Sequence, residues 1–429
     1  MSKTIAICAV LLASFWFRVQ SARAQMLEYQ TKYYTIYTDI DPQEEKEAEI
    51  RMTRMAEEYH ERTKGFSGQI RSRLPFYLFR SAADYYAAGG TKGSAGVFKY
   101  VGNDAKLMAI AGQKSSQDTW HIVQHEGFHQ FAHMAIGGNM PTWLNEGLAE
   151  YFGESIWTGD GFVTGIIPPW RLSRLKNELQ ENELHSLNQI ALISPQAWQD
   201  QLNIRNYDQA WSIVHFLVHA DDQKYQASLS NCIRAIAQGR DPQQAMRDTI
   251  AQNAGLEDRW KSWWSQQPPS PTSALYDQAA VETMTSFVAR AFEHKQIFPD
   301  FDAFRTAVNS KTLNITADDW LPDSLIQDTF RLHGDQPGWA ITVGANKQPE
   351  VSLTRDDGTR IVGYFVLQSK RVDHVYITLD DMAVVLKNAQ TLPDANKKSQ
   401  ARQMVQNAMK LNPRSAMIAE AKQFLLACR

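Results

Sequence analysis

Residues His121 to His133 read HIVQHEGFHQFAH, with a histidine at every fourth position. A four-residue period fits an α-helix, in which positions four apart are neighbours that drift by roughly 40° per step. His121 and His133 therefore end well around the helix from one another, and one metal ion cannot take all four imidazoles. A zinc hydrolase of the HExxH kind needs two His at i and i+4 with Glu directly after the first, so that the carboxylate points beside the metal toward its bound water. His121 is followed by Ile122 and His129 by Gln130, whereas His125 is followed by Glu126. The expected ligands are thus His125 and His129, with His121 and His133 as packing residues or as support for the ligands.

The helix should end at Gly137-Gly138 and the chain restart at Pro141. The next run, TWLNEGLAEYF, carries Glu146, Glu150 and Glu154 at spacing four on a second helix. An adjacent helix of this kind can deliver a carboxylate as the third protein ligand, which leaves a zinc ion one open position. Glu146 and Glu150 both qualify.

HEGFH followed by WLNEGLAEYF resembles the gluzincin zinc metallopeptidases, the group of thermolysin and the aminopeptidase N type. The resemblance implies a zincin-like domain, one Zn2+ per chain and Glu146 as third ligand, being the Glu of an Asn-Glu-Gly-x-Ala stretch. It implies Glu126 as general base and Glu150, one turn on, as the carboxylate that hydrogen-bonds a ligating His. NYDQAWSIVHFL further resembles the aminopeptidases' Tyr-Glu-Lys-Gly-Ala helix, which makes Tyr207 the donor to the tetrahedral intermediate. The bland reading of Tyr207, a core aromatic opening an amphipathic helix among Trp211, Val214 and Phe216, stays open. Sixteen residues lie between His129 and Glu146, slightly fewer than those aminopeptidases have, and their Gly-Ala-Met-Glu-Asn motif is missing. The resemblance runs from about Lys32 to Leu217.

A chain of 429 residues exceeds one ordinary hydrophobic core. An α+β organisation is expected. Residues 1–24 read as a signal peptide, with Lys3 ahead of an apolar run and small residues at Ala22 and Ala24; an uncleaved anchor is the alternative. Removing Lys3, Arg18 and Arg23 from 44 basic residues leaves 41 against 47 acidic ones, about −6, which gives no basic footprint for nucleic acid. Residues 25–265 form the expected metallopeptidase domain, and KYYTIYTDI, LPFYLF and KLMAIAG read as its strands. KLMAIAG, Lys106 to Gly112, is the expected edge on which an extended peptide adds a strand. QQPPSPTS, residues 266–273, reads as a linker.

Residues 274–380 then give a helix and a small antiparallel β module, with Asp357-Gly358 as a hairpin turn. Residues 381–429 return to helix, and AMKLNPRSAMIAEAKQFL has the look of a helical-hairpin repeat without a second copy. Cys232 and Cys428 are too few for a disulfide framework.

The expectation is a secreted or periplasmic zinc peptidase acting on peptides or proteins, with no membrane span in the mature chain. Two alternatives stand beside it. One is a zinc-braced binding protein without catalysis, whose C-terminal module meets a cell-surface or matrix partner; the other is a zinc hydrolase of a non-peptide amide or ester.

Overall fold

The computed structural model describes residues 26–101, 104–111, 116–137, 139–201, 203–316, 319–344, 347–390, 398–412, 415 and 417–427. The segment expected as a signal peptide and Cys428 lie outside them. The described residues form a mixed α+β structure with a mixed sheet, many helices and a separate antiparallel sheet.

The first sheet comprises β1 (Leu27–Gln30), β2 (Tyr34–Thr38), β3 (Leu74–Phe79), β4 (Gly96–Val101) and β5 (Asp104–Ile110), in the order β1-β2-β3-β5-β4. Helix α1 (Pro42–Thr63) makes the crossover between the parallel β2 and β3, and α2 (Ala82–Ala87) follows β3. Alternation decides which face is covered: Tyr34, Ile36, Phe76, Leu78 and Leu107 pack with Met52 and Ala56 of α1.

One expectation fails here. The strand built on KLMAIAG pairs with β3 on one side and β4 on the other, so it is interior and has no free edge. The edge on this side of the sheet is β4, GVFKYV, which follows the glycines of residues 89–93 and pairs with β5 alone.

Next come α3 (Ser116–Ala135), α4 (Thr142–Gly153), the short hairpin β6 (Ile156–Trp157) and β7 (Phe162–Val163), α5 (Pro169–Gln180), α6 (Leu187–Ala191), α7 (Pro195–Gln201) and α8 (Ile204–Gln223). Helices α9 (Gln226–Ala237), α10 (Pro242–Thr249) and α11 (Leu256–Gln266) close this part. Phe128, Phe152, Trp211, Trp260 and Trp264 share its large core. Trp264 Nε1 donates to the Ser212 carbonyl at 3.1 Å, which satisfies a buried indole.

Residues 266–273 do more than link. Lys176 Nζ donates to the Gln267 carbonyl at 2.5 Å, and Thr272 Oγ1 accepts from the Ile167 N–H at 3.0 Å. Three helices rather than one then follow: α12 (Ser273–Glu293), α13 (Phe301–Asn309) and α14 (Asp323–His333). Strands β8 (Trp339–Val343), β9 (Pro349–Thr354), β10 (Arg360–Gln368) and β11 (Arg371–Asp380) form the antiparallel sheet, with α12 laid across β9, β10 and β11. Gly358 takes φ +86° in the turn between β9 and β10, as expected of Asp-Gly. Helices α15 (Met382–Gln390), α16 (Lys398–Leu411) and α17 (Ile418–Ala427) share a small core around Leu386, Val405 and Ala421. No helix among the described residues is long and apolar enough to cross a membrane.

Candidate metal centre

Helix α3 is held against the sheet by Val123 and Leu107 and against α1 by Phe128 and Tyr59. Tyr59 Oη also donates to the Gln124 carbonyl, at 2.5 Å. This leaves His125 and His129 facing α4. Helix α4 is in turn pressed on α8 at Gly147, where a Cβ would lie 2.5 Å from the Ala210 carbonyl oxygen. The glycine after Glu146 is therefore what allows the two helices to approach.

The donor atoms converge. His125 Nε2 and His129 Nε2 are 3.1 Å apart, and Glu146 Oε2 lies 3.3 Å from the first and 3.4 Å from the second. Donors about 2.0–2.2 Å from a tetrahedral zinc ion lie roughly 3.2–3.6 Å from one another. Two imidazoles and a carboxylate at these separations fit such an ion, and His129 Nδ1 is buried with no hydrogen-bond partner among the described residues. Burial pushes the Glu146 carboxyl up, but His129 and His125 outweigh it and bring its pKa to about 2. Burial likewise depresses His125, and Glu146 and Glu150 more than offset that.

Glu150 supports rather than joins the triangle. Its Oε1 is 3.3 Å from His125 Nδ1, on the far side of the ring from Nε2. Its Oε2 accepts from Arg171 Nη1 at 2.6 Å. Arg171 also donates to Glu154 Oε1 at 2.7 Å and, through Nε, to Asp208 Oδ1 at 2.8 Å. Burial opposes the Glu150 charge, and Arg171 together with His125 holds its carboxyl well below the usual range. Arg174 caps the remaining Asp208 oxygen. Nothing in the sequence spacing signals Arg171 or Asp208, because their partners lie 17 to 37 residues away.

Glu126 faces the edge strand, where its Oε2 accepts from the Phe98 N–H at 2.8 Å. Tyr207 is half-buried with its ring edge-on to Trp198 at 5.4 Å. Burial, with the nearby charge of Glu146, pushes its phenol up to about 12. His133 stacks on Tyr100 of β4 at 4.4 Å, a packing role. His121 sits 3.8 Å from Glu150 Oε2 and covers Gly153, whose Cβ would be 3.1 Å from the ring.

Two other groups of His and carboxylates lie close together, His121 with Glu150 and Glu154, and Glu293 with His294 and Asp319. Their carboxylates are already engaged: Arg171 holds the first pair, Arg371 Nη1 binds Glu293 at 2.8 Å, and Asp319 accepts from His294 at 2.8 Å.

Residues 120–237 match a family described as "Protein of unknown function (DUF1570)". That span takes in α3 from Trp120 onward, α4 and Tyr207. No curated protein matches the chain.

Proposed function

We propose that this chain is a gluzincin-type zinc peptidase with a zincin-like domain, exported from the cell, that hydrolyses peptide bonds. The observation that carries the reading is the His125–His129–Glu146 triangle, together with Glu126, which follows His125 in the chain, stands outside the triangle and is near enough for its charge to act on His129. A purely structural zinc site has no need of Glu126. Zinc bound by the three residues supplies a Lewis acid and a water whose pKa falls toward roughly 7.

The remaining work belongs to the chain. Glu126 takes a proton from the attacking water and returns it to the leaving nitrogen. The Tyr207 hydroxyl, kept protonated by its surroundings, donates to the carbonyl oxygen as negative charge develops. Glu150 accepts from His125 Nδ1–H, which fixes the tautomer that leaves Nε2 free to bind metal. An extended substrate adds to the outer edge of β4, where the Phe98 N–H faces the site.

The test is zinc content and peptide hydrolysis of the mature protein. His125→Ala, His129→Ala and Glu146→Ala should each lose zinc or bind it far more weakly. Glu126→Gln should retain zinc and fold while hydrolysis drops by several orders of magnitude. Full zinc occupancy in all three alanine variants, or undiminished cleavage by Glu126→Gln, overturns the proposal.

A further inference from the structure

The antiparallel sheet of the C-terminal region has two unlike faces. On β9 and β10, Leu353 and Ile361 pack on Val281 of α12, and a Cβ at Gly363 would lie 2.0 Å from Thr285 Oγ1, so these alternate positions carry the helix. Glu350, Ser352 and Arg360 have the opposite parity and face the other way. On that side a cavity of about 740 Å³ lies between the sheet and the C-terminal helices. Ala383 of α15, and Met417 and Ile418 where α17 begins, wall it, and it reaches Val343 at the end of β8. Clefts that enclose small ligands run from about 300 to 1,000 Å³.

Two opposite charges line this cavity and neither is neutralised. Arg360 donates from Nη2 to Oγ of the buried Ser352 at 2.9 Å, which leaves most of the guanidinium's N–H donors unused. Asp380, its partner in the register, accepts from the Met382 N–H at 3.1 Å instead, and among the described residues no carboxylate makes an ion pair with Arg360. Glu350 is half-buried, with Oε1 lying over Gly344, where a Cβ would be 2.2 Å from it. Among the described residues no cation pairs with Glu350.

The two charges stand at different levels of the sheet. Glu350 precedes Val351, the partner of Gly363, and is therefore level with Tyr364. From Arg360 to Tyr364 is 364 − 360 = 4 positions along β10, about 13–14 Å at the rise of an antiparallel strand. An extended chain covers roughly 3.3–3.6 Å per residue, so about four residues span that distance. Opposite charges at opposite ends of a cleft select a ligand with a charge at each end.

We propose that this cavity binds a short peptide with free termini, its α-carboxylate on Arg360 and its α-ammonium on Glu350. A planar guanidinium fork matches a carboxylate. The apolar wall of Val343, Met417 and Ile418 accommodates side chains without demanding a particular sequence. The site uses no residue of the metal centre and does not rest on the peptidase reading.

The experiment is calorimetry on full-length mature protein carrying Glu126→Gln, so that no probe is cut. The probes are tetra-alanine with free ends, N-acetylated, C-amidated, or blocked at both ends. The free peptide should bind, and each block should weaken it about 10-fold or more, because a charged hydrogen-bonding pair is lost. Adding Arg360→Gln should make binding indifferent to amidation while it still responds to acetylation, and adding Glu350→Gln should do the reverse. Arg360→Lys keeps the charge and should keep part of the response to amidation, which separates loss of charge from a folding defect common to both Arg360 variants. No binding of the free peptide, equal binding of the doubly blocked one, or an unchanged response to both blocks in Arg360→Gln and Glu350→Gln overturns the proposal; the last result would place the peptide elsewhere on the protein.

Discussion

Arg171 is 3% exposed, too little for water to hydrate its charge, so its three carboxylate partners must do so. Removing one side of a buried ion network leaves the other side uncompensated, at a cost of about 3–5 kcal/mol. Arg171→Leu should lose stability of that order against urea, and Arg171→Lys should recover only part of it, because one ammonium cannot reproduce a planar fork reaching both α4 and α8. The network also separates Glu150 from Glu154. Glu150→Gln removes the carboxylate on His125 Nδ1 and should weaken zinc binding about 10- to 100-fold. Glu154→Gln, which touches Arg171 but no ligand, should leave zinc affinity nearly unchanged, and equal losses in a competitive chelator titration would contradict this division.

Among elements, α4 shows what local spacing can and cannot reveal. Glu146 and Glu150 were legible because a period of four places them on one face, beside a motif whose own period is four. Gly147 was legible only as part of a resemblance, since its physical reason is the Ala210 carbonyl of α8, 63 positions along the chain. Edge strand β4 was missed for the complementary reason, and with it the Phe98 N–H that meets Glu126: what makes GVFKYV a strand is its pairing with β5. The α4–α8 contact is testable through that glycine. In Gly147→Ala the new methyl meets backbone, which cannot rotate away, so α8 must shift from α4 and carry Tyr207 with it. The variant should lose about 1–3 kcal/mol of stability. It should also bind zinc more weakly than the parent, and parent-like values for both in urea and chelator titrations would show that the helices are not so closely matched.

At the scale of the whole molecule, the prolines and serines of QQPPSPTS suggest a division of the chain there. What the sequence could not indicate is that α12 returns to β6 and β7, because docking depends on contacts made more than 100 residues away, such as Thr158 with Glu282 and Asp160 with Arg290. Glu282 makes that docking depend on pH. Burial raises its carboxyl to about 7, the Thr158 hydroxyl opposes the rise and the neighbouring Asp160 adds to it. Its ordinary value is 4.5, so between about 4.5 and 7 the folded protein holds a proton that the unfolded chain has released. Stability from this group is therefore complete below about pH 4.5 and is lost as the pH rises through about 7, by up to about 3 kcal/mol. Glu282→Gln keeps an acceptor for Thr158 and cannot ionise, so it should be spared that loss. Urea unfolding of the two proteins from pH 4.5 to 8 should show the variant gaining on the parent across this window and running parallel to it above. Parallel profiles throughout would mean that Glu282 is already ionised when α12 is docked. If the gain appears, α12 is docked on β6 and β7 most firmly on the acid side of neutrality.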